Sequence, residues 1–71
     1  MLTGTIEHLA EESKGYGFIK CEDYEKNLFF HAKDLVKISF NELRRGDEVA
    51  IGDVEETPKG FAAKRVQIVN G

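Results

Sequence analysis

A chain of 71 residues has room for one domain spanning 1–71, and folding at this length buries only about 60% of the unfolded surface, so functional groups have to lie near the outside. With 41% hydrophobic and 32% charged residues, the composition is that of a folded domain and excludes a disordered chain. The net charge of −3 argues against a protein that grips duplex DNA mainly by neutralising phosphates, and the one cysteine, Cys21, excludes an intramolecular disulfide framework and fits a reducing, cytoplasmic setting.

Turn signals recur at short intervals, as expected of a chain of short strands. Thr3 to Leu9 is β-branched and bounded by the polar Glu11-Glu12-Ser13 loop, which predicts a first strand. Gly15 to Cys21 is the second, and the polar run Glu22 to Asn27 connects it to the third, Leu28-Phe29-Phe30-His31. Ala32 to Val36 is expected to form a helical turn. Ile38 to Arg45 reads as a loop carrying Phe40 and anchored to the core by Leu43. Gly46-Asp47 opens a fourth strand, in which Val49 and Ile51 alternate and Val54 resumes the pattern one residue late, the signature of a β-bulge at Gly52-Asp53. Thr57 to Gly60 is a turn, and Phe61 to Val69 is the fifth strand, with Val66 and Ile68 on one face and Arg65 and Gln67 on the other. No segment sustains a 3.6-residue apolar period. Five short strands leave exposed edges in an open sheet but none in a barrel, so the fold expected is all-β, a closed five-stranded antiparallel barrel.

Alternation divides the aromatic residues between two faces. In an extended Lys14-Gly15-Tyr16-Gly17-Phe18-Ile19, Tyr16 and Phe18 face one way while Gly17 and Ile19 face the other. If Leu28 and Phe30 point inward, Phe29 and His31 point outward and meet Tyr16 and Phe18 across the antiparallel pair. Both faces of so small a sheet cannot be core, so Phe30 and Phe61 are assigned to core or edge packing, and Tyr16, Phe18 and Phe29 to a solvent-facing platform. Such rings stack on nucleic-acid bases whatever the sequence, and stacking tolerates an acidic protein. Lys14, Lys37, Lys59, Lys64 and Arg65 are the cations expected near this face or its rim. Gly15 and Gly17 either let a ligand approach the backbone closely or mark a bulge or sharp coil.

The stretch Lys14 to Ile19 resembles the first ribonucleoprotein motif of cold-shock domains, and Leu28 to His31 resembles the second. The likeness extends through Thr3-Gly4, Leu43 to Val49 and Lys59 to Val66, so it spans essentially the whole chain. RNA-recognition-motif domains share the first motif, but they carry two helices and the opposite motif order. The resemblance implies an oligonucleotide-binding (OB-fold) barrel that holds single-stranded RNA or DNA, as an RNA chaperone or cold-shock-type regulator. It implies Lys14 at the rim, Tyr16, Phe18, Phe29 and His31 as the stacking face, Phe40 as a further loop ring, and Lys59 near the backbone of the ligand.

The chain departs from the family where Glu7-His8-Leu9 stands in place of the usual Lys-Trp-Phe, and where Ala32 replaces a common aromatic. His8 stacks over a smaller area than an indole and Glu7 repels phosphate, so weaker binding or an altered base preference is expected. These departures motivate the alternative, a degenerate barrel using its aromatic face against another protein. Cys21 has no catalytic motif around it, and Cys21, His8 and His31 have no metal-site spacing, so neither catalysis, a cofactor, a metal nor a small-molecule substrate is expected. No run nears the roughly 20 apolar residues of a membrane span, and Met1-Leu2-Thr3 does not open like a signal peptide. Protonation of His31 would add phosphate attraction and make binding pH-dependent. A monomer is expected, with a dimer left open.

Overall fold

The computed structural model describes residues 2–69; Met1, Asn70 and Gly71 of the expected 1–71 domain lie outside the described residues. Five strands, β1 (Leu2–Leu9), β2 (Tyr16–Lys20), β3 (Leu28–His31), β4 (Glu48–Thr57) and β5 (Gly60–Ile68), close into a barrel in the order β1-β2-β3-β5-β4. Two single 3-10 turns, Ala32–Asp34 and Phe40–Glu42, interrupt the connection from β3 to β4. The helical turn expected over Ala32 to Val36 is thus shorter than foreseen.

One ladder departs from the antiparallel expectation. β1 to β2, β2 to β3, β4 to β1 and β4 to β5 are antiparallel, but β3 meets β5 in parallel through Phe29 and Ala62. The reason is arithmetic: alternating directions around a ring of five strands must leave one pair running the same way. Beyond β3 the seam continues where Leu35 bridges Val66 and the Val36 amide donates to the Val66 carbonyl at 2.7 Å.

The β-bulge is also elsewhere than expected. β4 and β5 keep one register from Val49↔Ile68 to Thr57↔Gly60, with no shift at Gly52-Asp53. There the chain coils instead, with Gly52 beside Arg65, whose φ of 51° is left-handed. The register shifts in β1, between Ile6↔Ile19 and His8↔Phe18, so Glu7 is the extra residue. Ile6 points into the barrel, whereas Glu7 and His8 both face solvent.

The interior is filled by Ile6, Ile19, Leu28, Phe30, Val49, Ile51 and Val66, each less than 2% exposed. Leu43 is buried and anchors its loop as expected, and the Cys21 thiol is buried among these side chains. Gly17 owes its identity to this core, because a Cβ there would lie 2.6 Å from the His8 carbonyl oxygen and 2.9 Å from the Phe30 ring. Gly15, at φ +61°, closes the turn in which its amide and that of Lys14 donate to the Glu11 carbonyl. Both glycines are accounted for by chain geometry, which favours the bulge-or-coil reading over ligand approach.

Candidate nucleic-acid interface

The burial of β2 and β3 alternates residue by residue. Gly17, Ile19, Leu28 and Phe30 are buried, while Tyr16 and Phe18 are half-buried, Phe29 is 39% exposed and His31 is half-buried. The register sets Tyr16 opposite His31 and Phe18 opposite Phe29. Cross-strand partners on one face lie close enough for their rings to touch, and Phe18 and Phe29 do. The Phe29 centroid is 5.7 Å from Tyr16 and 5.8 Å from Phe18, and Tyr16 and Phe18 meet edge-on at 6.1 Å and 88°. Edge and tilted contacts hold rings together while leaving outer faces free, the geometry that aromatic quadrupoles prefer.

The β1 bulge extends the platform. By turning His8 outward it sets that imidazole 6.1 Å from the Phe18 ring. It also brings Glu7 to the same surface, where the Asn27 side-chain amide donates to Oε1 at 3.3 Å. The carboxylate therefore stands beside the platform, tied to the loop between β2 and β3.

His31 is held from behind. Its Nδ1 accepts from the Lys33 amide at 3.2 Å, and its own amide donates to Oδ2 of Asp34 at 3.0 Å, a reciprocal cap on the turn that follows β3. An imidazole that accepts at Nδ1 presents its proton at Nε2, leaving a neutral ring face and one N–H donor for a ligand.

The remaining expected site residues are dispersed. Lys14 is exposed in the turn leading into Tyr16, and Lys59 is exposed in the turn between β4 and β5, where it lines a groove together with Phe18 and Phe29. Lys37 lies in the bend beyond the Ala32–Asp34 turn, with φ 65°. Lys64 is engaged with Asp34 at 3.3 Å and Arg65 with Asp53, so these two cations are already paired. Phe40 packs on Phe30 at 6.3 Å, half-buried against the core and apart from the contacts that join the other rings.

Two rings were not assigned to this surface by sequence. The sequence puts Tyr24 in a polar connection and Phe61 in core or edge packing; Phe61 takes the edge, 42% exposed, with its centroid 5.0 Å from Tyr24. Both line the groove that Phe18 and Phe29 border. The available signal was Gly60: a ring one residue past a hairpin turn sits at a barrel rim, where there is little core to enter. Among the described residues no group of three or more His, Cys, Asp or Glu could hold a metal ion, and no helix is long and apolar enough to cross a membrane.

A family model described as the 'Cold-shock' DNA-binding domain matches residues 2–69. The chain belongs to the cold-shock domain family. The cold shock-like protein of Aquifex aeolicus is 38% identical over 66 residues, covering 93% of this chain and 91% of that one. The major cold shock protein of Micrococcus luteus is 36% identical over 66 residues, covering 93% and 96%. The solved structure of drosophila Unr CSD456 superposes with a TM-score of 0.78 at 30% identity, covering 97% of this chain and 26% of that much longer one. This cold-shock domain has the closed OB-fold barrel and the nucleic-acid-binding character of the family, and these relatives do not favour a degenerate protein-interaction barrel.

Proposed function

We propose that this cold-shock domain holds single-stranded RNA or DNA by stacking bases on the outward faces of Tyr16, Phe18, Phe29, His31 and His8, and acts as an RNA chaperone or cold-shock-type regulator. The carrying observation is the contiguous set of ring contacts from His8 through Phe18 to Phe29 and Tyr16 on the solvent side of β1, β2 and β3. Stacking contributes about 1–3 kcal/mol per base. Three stacked bases then give a gross gain of roughly 3–9 kcal/mol, against about 8 kcal/mol net for micromolar affinity. The free cations Lys14 and Lys59 add phosphate contacts at the rim. Phe40 is assigned a base only on the face it keeps toward solvent.

Bases in a duplex are already stacked and offer no free face, so the preferred ligand is unpaired strand. A protein that binds unpaired segments opposes the secondary structure that would sequester them, which is the basis of the chaperone reading. A monomer working in the cytoplasm, with no enzymatic turnover, completes it; the lone buried thiol fits a reducing compartment.

Fluorescence anisotropy of a labelled oligo-pyrimidine tests the proposal, with the same strand annealed to its complement as comparison. Saturable binding to the single strand, weak binding to the duplex and loss of affinity in Phe29→Ala are expected. Absence of binding at tens of micromolar protein in low salt would return the aromatic face to the protein-interface alternative.

A further inference from the structure

We propose that Tyr24 and Phe61 form an additional base-stacking subsite that continues the platform across the rim of the barrel, an inference that rests on the single-strand reading above. One groove is lined both by Phe18 and Phe29 of the platform and by the Tyr24–Phe61 pair. A strand whose bases occupy Phe18 and Phe29 is thereby led to two more rings without leaving the surface.

Both rings are set in place by the local fold. The Tyr24 amide donates to the Cys21 carbonyl at 3.1 Å, and the ring leans on the core. Phe61 leaves a turn in which Thr57 Oγ1 donates to the Gly60 carbonyl at 2.7 Å and accepts from the Lys59 amide at 3.2 Å. Rings already ordered lose little freedom when a ligand arrives, so more of the stacking energy is realised as affinity.

The charges around the groove identify what is bound there. Lys26 and Lys59 are balanced by Asp23 and Glu25 on the same lining. Such a groove gives little net attraction to phosphate, so what it offers an oligonucleotide is flat apolar surface, a face for a base. Its continuity with Phe18 and Phe29 makes the occupant the next nucleotide of the strand already bound.

The test titrates oligo-pyrimidines from about 4 to about 10 nucleotides in length, within the range of OB-fold site sizes, against the wild type and Phe61→Ala. The expected result is that Phe61→Ala matches the wild type on the shortest strands and loses roughly 5-fold or more on the longer ones, as removal of one stacked base implies. Because the chain contains no tryptophan, Phe61→Trp adds a single indole, expected to be quenched by long strands and unaffected by short ones. Thermal melts of both variants show whether the barrel stays folded. Equal length profiles for Phe61→Ala and wild type, with an unquenched indole in Phe61→Trp, overturn the subsite while leaving the platform standing. Failure of the wild type to bind any strand overturns both.

Discussion

Phe18 and Phe29 face each other across the ladder between β2 and β3, with ring centroids 5.8 Å apart and planes inclined at 68°. Neither ring can lie flat on the other, so each keeps a face for a base, and the two faces are oriented differently. Replacing either by alanine is expected to lower single-strand affinity by about 1–3 kcal/mol. The double replacement should cost less than the sum, since each ring also positions its neighbour. Phe29 contributes little to the interior, so Phe29→Ala should lower stability by no more than about 1 kcal/mol, the scale of a lost aromatic pair. Anisotropy titrations paired with thermal melts check both statements; a large fall in melting temperature with unchanged affinity would make Phe29 a structural ring.

Glu7 is the platform's electrostatic opponent. The bulge leaves it exposed on the ligand-facing surface, where its charge repels phosphate and the Asn27 amide fixes its position. Glu7→Lys reverses one charge there and is expected to tighten binding several-fold at low salt. The log–log slope of affinity against salt, shallow in the wild type, should steepen by about 1. Asn27→Ala frees the carboxylate without changing charge, so it should leave that slope alone. An unchanged slope in Glu7→Lys would place the bound strand away from β1.

Gly17 separates folding from ligand access. An added Cβ collides with the His8 carbonyl oxygen and the Phe30 ring, both on the protein side of β2. Gly17→Ala is therefore expected to destabilise the barrel by about 1–3 kcal/mol, the range for overpacked sites. Affinity measured at a temperature where the variant is folded should stay within about 2-fold of wild type, small against a lost stacked base. Urea denaturation and a cold titration together decide it; full stability with lost binding would mean that the glycine serves the ligand.

Alternation was enough to read the platform from sequence. Ile19, Leu28 and Phe30 consume the interior of β2 and β3, which forces Tyr16, Phe18, Phe29 and His31 outward, and each is found there. Features that depend on closure were not legible. The parallel seam between β3 and β5 follows from an odd strand count only once the ring is known to close. The bulge at Glu7 left no irregularity in the apolar pattern, because Ile6 precedes it and Leu9 is merely half-buried, whereas Gly52 suggested a bulge and supplies a coil. Long-range pairing decided the cations too: nothing local in Lys64 or Arg65 points to Asp34 or Asp53. Tyr24 and Phe61 are far apart in sequence and meet only because the barrel brings two hairpin ends together.

Asp34 links the stability of the barrel to the placement of His31. One carboxylate oxygen accepts from the His31 amide at 3.0 Å and the other from Lys64 at 3.3 Å, with the Asp34 side chain only 10% exposed. Asp34→Ala removes the cap on the turn after β3 and leaves that amide without its partner, at an expected cost of about 1–2 kcal/mol. Lys64→Met removes only the ion pair and preserves the cap, so it should cost less, in keeping with a partly solvated pair. The two variants then differ in binding. Asp34→Ala loosens the turn whose Lys33 amide orients the His31 ring and should weaken single-strand affinity by a modest factor, smaller than the loss in Phe29→Ala. Lys64→Met should bind as the wild type does. Chemical denaturation ranks the stabilities and anisotropy ranks the affinities. Matched affinity losses in the two variants would show that the Lys64 charge, and not the orientation of His31, is what the ligand feels.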